Sequence, residues 1–438
     1  MSSTYLSGDP LLLDHGPHLF IDDTLIEDRW ALPRKVNPPY PSPANPIVVA
    51  DRPWEERPYR PQVIYDDDLG IYRMYYQCFS GTNYWSSEGP PYYCCYAESS
   101  DGFNWNKPER PGAPFLSHKS TNIITVGDDD ARVQAPYVFK NPDESDASRL
   151  WLMIYNRAGL RLAYSPDGIR WTPAREEQLF CYHSDTSNHV VWNDTIRKWV
   201  LYMRPPMFAS GRKEGPGARH MRRRVAISTS DDLLEWTVPR TVIYPDELNL
   251  PDFDAFHALP YGGQYIGLLT VMDQEAGGTT EIYLASSPDG LSWSQSVIRE
   301  PWMPRGLSGG FDDGCVNAPC NPIWRGDELL FYYSGFQRPQ TVFDQEGAIG
   351  LVKLMRDRFV GLEAGKDELG WVLTREFIWK GRRLVINCAA GHGDQQTYGR
   401  IHVEVIKRPV DAGAKYMTGE PLEGRTIDDC DLIRSNRP

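Results

Sequence analysis

Five short stretches of this 438-residue chain gather acids, histidines, amides and arginines just ahead of strand-like runs. They are Trp54-Glu55-Glu56-Arg57-Pro58-Tyr59-Arg60-Pro61-Gln62, Asp130-Ala131-Arg132-Val133-Gln134, His183-Ser184-Asp185-Thr186-Ser187-Asn188-His189, Asp252-Phe253-Asp254-Ala255-Phe256-His257 and Asp312-Asp313-Gly314-Cys315-Val316-Asn317. If they meet at one rim, several carboxylates share it. Like charges raise one another's pKa, so such a rim can split into a proton donor and a base. On that reading Asp185 is an acid or base and Asp313 or Asp254 is its partner. Arg60, Gln134, His183, His257, Arg204 and Glu56 then hold substrate hydroxyl or carboxylate groups, a guanidinium being well shaped for the latter.

Each of these residues also has a structural alternative. An Asp before a strand often caps a turn, which applies to Asp185 and Asp254. Asp312-Asp313 precedes Gly314, a turn-like context in which one of the two points inward. His189 and His257 can bond backbone groups in a packed sheet, and Glu98, at a strand end, falls away from the rim. Other chemistries lack their motifs: there is no Walker sequence, no GxGxxG after a strand, no HExxH and no GxSxG. The histidines and acids show no diagnostic metal-ligand spacing, so no cofactor is expected, with a divalent metal on the axis left open.

The elements that must position these groups come from a repeat. Ser100-Asp101-Gly102-Phe-Asn-Trp105, Ser165-Pro-Asp167-Gly168-Ile-Arg-Trp171, Ser230-Asp231-Asp232-Leu-Leu-Glu-Trp236 and Ser287-Pro-Asp289-Gly290-Leu-Ser-Trp293 share one pattern, and their tryptophans are 66, 65 and 57 positions apart. Asp-Gly favours a hairpin turn, because Gly accepts positive φ and Asp bonds the local backbone. Upstream lie Arg73–Gln77, Leu150–Tyr155, Lys198–Met203, Gln264–Leu269 and Leu329–Tyr333, five aromatic, β-branched runs too short for helices. They raise the count from four turns to five units, the fifth lacking the tryptophan turn. A period of this kind marks a repeat architecture.

The expected fold is all-β: a five-bladed β-propeller over 51–352, preceded by a lead-in segment over 1–50 and followed by an appended β-rich, sandwich-like module over 353–438. That module takes in Trp371–Thr374, Leu384–Asn387 and Arg400–Val405. No amphipathic helix is expected. In a propeller the innermost strands start around one axial funnel, which makes a concave site fed by every blade.

The bulk numbers narrow the partners. A net charge of −13 argues against nucleic acid or an anionic membrane, and no apolar run is long enough to span a bilayer. The basic run Arg219–Arg224 is a solvated loop leading into a strand, or a carboxylate or phosphate clamp near a pocket. Fourteen Trp and 24 Tyr suit surfaces with an apolar face and a hydrogen-bonding edge. The start, Met1-Ser-Ser-Thr-Tyr, carries no basic or apolar export signal, so a cytoplasmic location with reduced cysteines is the expectation. Cys94-Cys95 lies in a strand-like run and reads as packing.

The acidic residues at the inner-strand starts of five four-stranded units resemble the five-bladed β-propeller glycoside hydrolases, which include fructan-, arabinan- and anhydrogalactose-cleaving enzymes. Leu19-Phe20-Ile21-Asp22-Asp23 and Met355-Arg-Asp-Arg-Phe-Val-Gly-Leu-Glu-Ala364 are similar to segments of hydrolase-like bacterial proteins of that group. The resemblance implies a carbohydrate-active enzyme, a glycoside hydrolase using carboxylates in the funnel on a small-molecule carbohydrate. A lyase or isomerase, or a non-catalytic sugar-binding propeller, are the alternatives on the same scaffold. The chain also departs from the family. Members carry an Asp followed by Pro on the first inner strand, where this chain has Arg60-Pro61, and the Trp-Met-Asn-Asp-Pro and Arg-Asp-Pro signatures are absent. Asp185 is the position that fits the third-blade acid.

Overall fold

The structure is a computed structural model and describes residues 10–13, 16–127, 130–142, 145–180, 184–185, 187–206, 222–245, 252–295, 299–317, 321–365, 368–390, 399–407, 419–431 and 433. The chain divides into two compact units, Lys35–Gly361 and a second made of Met1–Arg34 with Leu362–Pro438.

The larger unit is nearly all β. Its first sheet pairs Arg57–Asp66, Ile71–Phe79, Tyr92–Ser99 and Ile123–Ile124 in antiparallel order. The second runs Gln134–Lys140, Trp151–Asn156, Leu160–Ser165, Thr172–Pro173, and the third His189–Asn193, Lys198–Met203, Val225–Ser230, Arg240–Ile243. A ten-stranded sheet follows. Its first half starts with Phe253–Tyr261, Gln264–Asp273 and Thr279–Ser287, and its second is built on Cys315–Asn317, Glu328–Phe336 and Gly347–Met355. One parallel pairing, Thr280 with Cys315, joins the halves. Tyr40–Pro41 and Val48–Val49 pair with Gly347–Met355, so the start of the unit completes its last sheet.

The aromatic runs read from the sequence all become second strands, and their alternating side chains fill the spaces between sheets. Tyr75 and Cys94 of the first sheet pack with Val138 and Trp151 of the second, while Tyr76 and Cys95 face the opposite way, toward Leu330 and Ile349. The vicinal cysteines are therefore packing residues on two faces of one strand. Leu152 and Ile154 meet Val190 and Leu201, and Val191 and Tyr202 meet Phe256 and Leu269. Polar side chains bridge the same seams near the innermost strands. The Gln62 amide bonds the Val138 backbone, and Asn156 donates to the Ser184 carbonyl. The Ala258 N–H donates to His189 Nδ1 at 3.2 Å, Thr280 Oγ1 to the Val316 carbonyl at 2.9 Å, and the Arg60 N–H to Ser334 Oγ at 2.7 Å.

The tryptophan turns share one atomic plan, in which the serine two residues before the Asp takes part. In the first turn that serine is Ser99 rather than Ser100. Asp167 Oδ1 accepts from the N–H groups of Ile169 and Arg170, and Ser165 Oγ from those of Asp167 and Gly168. Asp101, Asp232 and Asp289 repeat this with their own neighbours. The residue after each Asp is left-handed, and Leu233, at φ 67°, takes the place of glycine in the third. Three turns also receive a tyrosine hydroxyl from another sheet: Tyr75 on the Gly168 carbonyl, Tyr202 on Gly290 and Tyr332 on Gly102. A Cβ on Gly168, whose φ is +74°, would lie 2.6 Å from the Tyr75 hydroxyl. Gly168→Ala is thus expected to cost about 1–3 kcal/mol, a backbone strain plus a displaced hydrogen bond, read as a fall in the unfolding midpoint.

In the smaller unit Leu11–Leu13 pairs parallel with Phe377–Trp379, and Ile26–Trp30 antiparallel with Trp371–Thr374. The strands expected at Leu384–Asn387 and Arg400–Val405 are not ladders: Leu384 and Val385 are exposed, and Ile401 and Ile406 make only isolated bridges. Leu384–Asn387 joins no ladder among the described residues, whereas Ile401 bonds Ile433, and Val405 bonds Leu422 and Arg425, through the backbone alone.

Candidate functional site

Bulges on the innermost strands aim the key side chains. The ladder slips between Tyr59 and Pro61, between Gln134 and Tyr137, and between Phe253 and Ala255. Arg60 and Ala135 sit in these slips with φ of 49° and 48°, and Asp254 occupies the third. A bulge leaves one residue out of the ladder and re-aims it. Each of the first two is followed by a proline, which has no N–H to lose from the ladder. A cavity opens here, lined by Arg60 and Gln62 of the first sheet, Pro136 and Tyr137 of the second, Asn188 ahead of the third, and His257 of the ten-stranded sheet. A neighbouring cavity sharing Ser187 reaches Arg204 and Asp254. Inner strands far apart in sequence therefore meet at one place.

A chain of charges runs through it. Arg60 Nη2 lies 3.3 Å from Asp254 Oδ2, and Arg204 Nη2 lies 3.1 Å from Asp254 Oδ1 while also donating to the Asp254 carbonyl at 2.6 Å. Arg204 Nη1 then reaches Asp185 Oδ2 at 3.0 Å, and Gln134 Nε2 stands 3.5 Å from Asp185 Oδ1. Beside it Arg223 binds Asp252 at 2.7 Å, and Gln274 donates to the same carboxylate. Arg223 belongs to the basic run, so part of that run does clamp a carboxylate, one of the protein's own; 207–221 lie outside the described residues.

The two acids of the chain are in different states of exposure. Asp254 is 2% exposed and the Asp185 side chain 54%. Burial by itself would raise the Asp254 pKa, but Arg60, then Arg204 and Arg223, overrule it and hold the carboxyl at about 2. Asp254 is a fixed anion between two guanidinium groups. It has no proton to give at neutral pH. Asp185 touches the same Arg204 and faces solvent, which leaves it as the carboxylate of the chain that a ligand can reach.

Deeper in, His189 Nε2 is 3.2 Å from Asn321 Oδ1, Asn321 Nδ2 donates to the Tyr137 hydroxyl at 3.1 Å, and the rings of His189 and His257 are 5.1 Å apart. Since Nδ1 of His189 accepts the Ala258 N–H, its proton is assigned to Nε2, facing the Asn321 oxygen. Neither nitrogen of His189 then offers a lone pair to a metal. Burial, with His257 adding to it, pushes the His189 pKa well below the ordinary histidine value, against the smaller effect of Asn321. A folded-state pKa below the unfolded one means that the unfolded chain binds the proton first. Stability is expected to fall as pH drops below about 6.5, by up to about 1.4 kcal/mol per pH unit, and to fall again toward pH 2 as Asp254 is protonated. Denaturant unfolding followed from pH 8 downward checks this, and a flat profile from 6.5 to 5 would refute the histidine part.

Asp185, Asp254, Arg60, Arg204 and Gln134 are thus brought together, and His257 lines the same cavity. Two expected residues are not. Glu56 accepts from Ser80 Oγ and the Thr82 N–H at the start of a six-residue helix, Gly81–Ser86, which the sequence reading lacked. Asp313 accepts the Gly309 N–H at 2.8 Å inside its own loop, and Asp312 takes the Tyr333 hydroxyl at 2.6 Å. Glu98 is spent on Tyr96 and a bridge to Asn106, and His183 lies outside the described residues. Tyr137, Asn321 and the Arg223–Asp252 pair were not anticipated. Arg157 pairs with Asp130 at 2.9 Å.

Glu55, Cys78 and Cys95 form the group of possible metal ligands found among the described residues. Lys107 Nζ is 2.7 Å from Glu55, so the charge a cation would bring is already supplied, and burial raises both thiols. That cluster is a buried ion pair beside two protonated cysteines.

No family model matches the sequence, and no curated protein does either. Solved structures match by shape. A glycosyl hydrolase from Bacteroides ovatus has a TM-score of 0.53 at 15% identity, covering 74% of this chain and 96% of its own. A structure described among mannoside phosphorylases and glycoside hydrolases that target β-1,2 mannosidic linkages in Candida mannan scores 0.51 at 16% identity, covering 74% and 95%. The β-1,2-mannobiose phosphorylase from Listeria innocua scores 0.50 at 12% identity, covering 72% and 96%. The fold is that of the β-propeller, glycoside hydrolase-like proteins.

Proposed function

We propose that the larger unit is a five-bladed propeller and that its funnel is the active site of a carbohydrate-active enzyme, a glycoside hydrolase in which Asp185 moves the proton. The blade count is supported by the seam bonds. They run from the first sheet to the second, on to the third, through both halves of the ten-stranded sheet, and back through Ser334 and Tyr332 to Arg60 and Gly102. The observation that carries the function is the chain Asp185–Arg204–Asp254–Arg60 at the meeting point of the inner strands. A solvent-facing carboxylate held by a buried guanidinium is placed to protonate a leaving-group oxygen or to activate water. Asp254 serves as the anion that fixes Arg60 and Arg204, which orient substrate hydroxyls. His257 lines the cavity, and Gln134 stands beside Asp185. The protein's setting is proposed as cytoplasmic.

A second reading has an observation of its own. Glycosidases of the usual kind need two carboxylates flanking the bond, and here the second acid, Asp254, is buried and locked by arginines. One acid beside guanidinium groups suits a reaction in which the nucleophile arrives as an anion, as in phosphorolysis. Incubating the protein with a panel of aryl glycosides and oligosaccharides, with and without inorganic phosphate, separates the two. Free sugar released without phosphate supports hydrolysis; sugar phosphate formed only with it supports phosphorolysis; no product with any substrate overturns the enzyme reading.

A further inference from the structure

An aromatic corner stands outside the charge chain. Trp85 is 72% exposed, Phe343 43% and Tyr84 42%, although each is held by other rings. Tyr84 and Phe343 stack with centroids 5.6 Å apart and planes at 21°, and Trp85 stands across Tyr84 at 89° and 5.0 Å. The three rings make a floor and a wall. Their mounting is firm. Tyr84 and Trp85 lie on the helix Gly81–Ser86, which Ser80 caps by accepting the Asn83 N–H, with Glu56 on the Thr82 N–H. Phe343 comes from the loop whose carbonyls Arg57 binds, and the Arg57 guanidinium lies over Phe79 at 4.9 Å.

The corner is continuous with the funnel. Phe79 touches Tyr84, Phe343 and Tyr92 at ring distances of 5.7, 5.8 and 5.2 Å. Tyr59, Phe79 and Tyr92 belong to one buried cluster, and the Arg60 guanidinium sits 5.4 Å from the Tyr59 ring. Tyr92 is close enough to Asp185 and Arg60 that, after burial, their charges are the main influences on its phenol. A saccharide with one residue at Asp185 and further residues extending outward has this corner in its path.

We propose that Tyr84, Trp85 and Phe343 form an outlying subsite that stacks on a sugar ring of a longer saccharide whose end occupies the funnel. The substrate class is therefore an oligo- or polysaccharide rather than a monosaccharide derivative. This inference rests on the carbohydrate reading above. The chemistry of the corner fits such an occupant: the C–H face of a pyranose or furanose is apolar while its hydroxyl rim stays in water, and exposed rigid rings bind it at little entropic cost. Its extent also fits. Three partly exposed rings offer on the order of 300–400 Å², well under the ~800 Å² per partner of a stable protein interface.

The test is a calorimetric titration of the full-length wild type and Trp85→Ala with manno-, xylo-, arabino- and fructo-oligosaccharides from disaccharide to hexasaccharide. Affinity in the wild type is expected to rise with chain length for the series it binds. Trp85→Ala is expected to lose roughly tenfold for the long members and nothing for the disaccharide. Trp85→Tyr should recover most of the loss, which sets a stacking role apart from a folding defect. Equal affinity of wild type and Trp85→Ala for the longest bound saccharide overturns the subsite and leaves the carbohydrate reading standing. Wild type that binds no saccharide overturns both. Self-association in sedimentation that Trp85→Ala abolishes would assign the corner to a protein interface and overturn the subsite too.

Discussion

Asp185→Asn is expected to lower turnover on the best substrate by roughly 10²–10⁴-fold, the usual contribution of a positioned acid or base. The geometry explains why the loss should fall on kcat more than on KM. Asn keeps the size of the group and can still accept from Arg204, 3.0 Å away in the wild type, so the binding surface is preserved while the proton is gone. The Asp185 side chain is 54% exposed and the buried Arg204 keeps Asp254 as its anion at 3.1 Å, so folding stability should change by less than about 1 kcal/mol. Steady-state kinetics together with denaturant unfolding decide the matter. Unchanged turnover removes Asp185 from the chemistry. A large loss of stability would mean that any drop in turnover came from the fold.

Asp254→Asn is expected to do the reverse, costing about 3–5 kcal/mol of stability, the scale for removing one partner of a buried ion pair. Arg60 and Arg204 both direct guanidinium groups at its two oxygens, and Arg204 is 4% exposed. Without the anion two largely buried positive charges face each other. Activity falls as well, because Arg204 is the group that holds Asp185. Arg60→Met in the same background should restore part of the stability by removing one stranded charge, and a double-mutant cycle measures that coupling. A strictly additive pair of variants would refute the shared role of Asp254.

Much of the scaffold was readable in the chain because its signals are local. Asp-Gly at a turn and an aromatic run beside it act within a few residues, and the four turns fold to one plan. The bulge at Arg60 left a trace in Arg60-Pro61, and Asp185, Asp254, Arg204 and Gln134 were found because they bracket strand ends. What escaped depends on distance or on competition. Asn321 meets His189 across 132 positions and follows no spacing rule. The helix Gly81–Ser86 is too short for a periodic pattern, although Ser80 is a good N-cap. Asp313 looked like a rim acid because it precedes a strand, yet the nearby Gly309 N–H claims it, as turn aspartates commonly are claimed. Leu384 and Val385 had strand composition but join no strand among the described residues, and composition does not supply one.

The pairing of Tyr40–Pro41 and Val48–Val49 with Gly347–Met355 has a consequence during synthesis. Chains leave the ribosome N-terminus first, so the segment that completes the last sheet is made first and waits for a partner made nearly last. Until then the unit has two open edges, and open edges invite pairing with other chains. Closure over so long a loop is slow for the same reason that non-local sheets fold slowly. Permuted chains that begin at Arg57 and carry 35–56 after Gly361 would make closure a local event, so they should refold faster and aggregate less while keeping the same funnel.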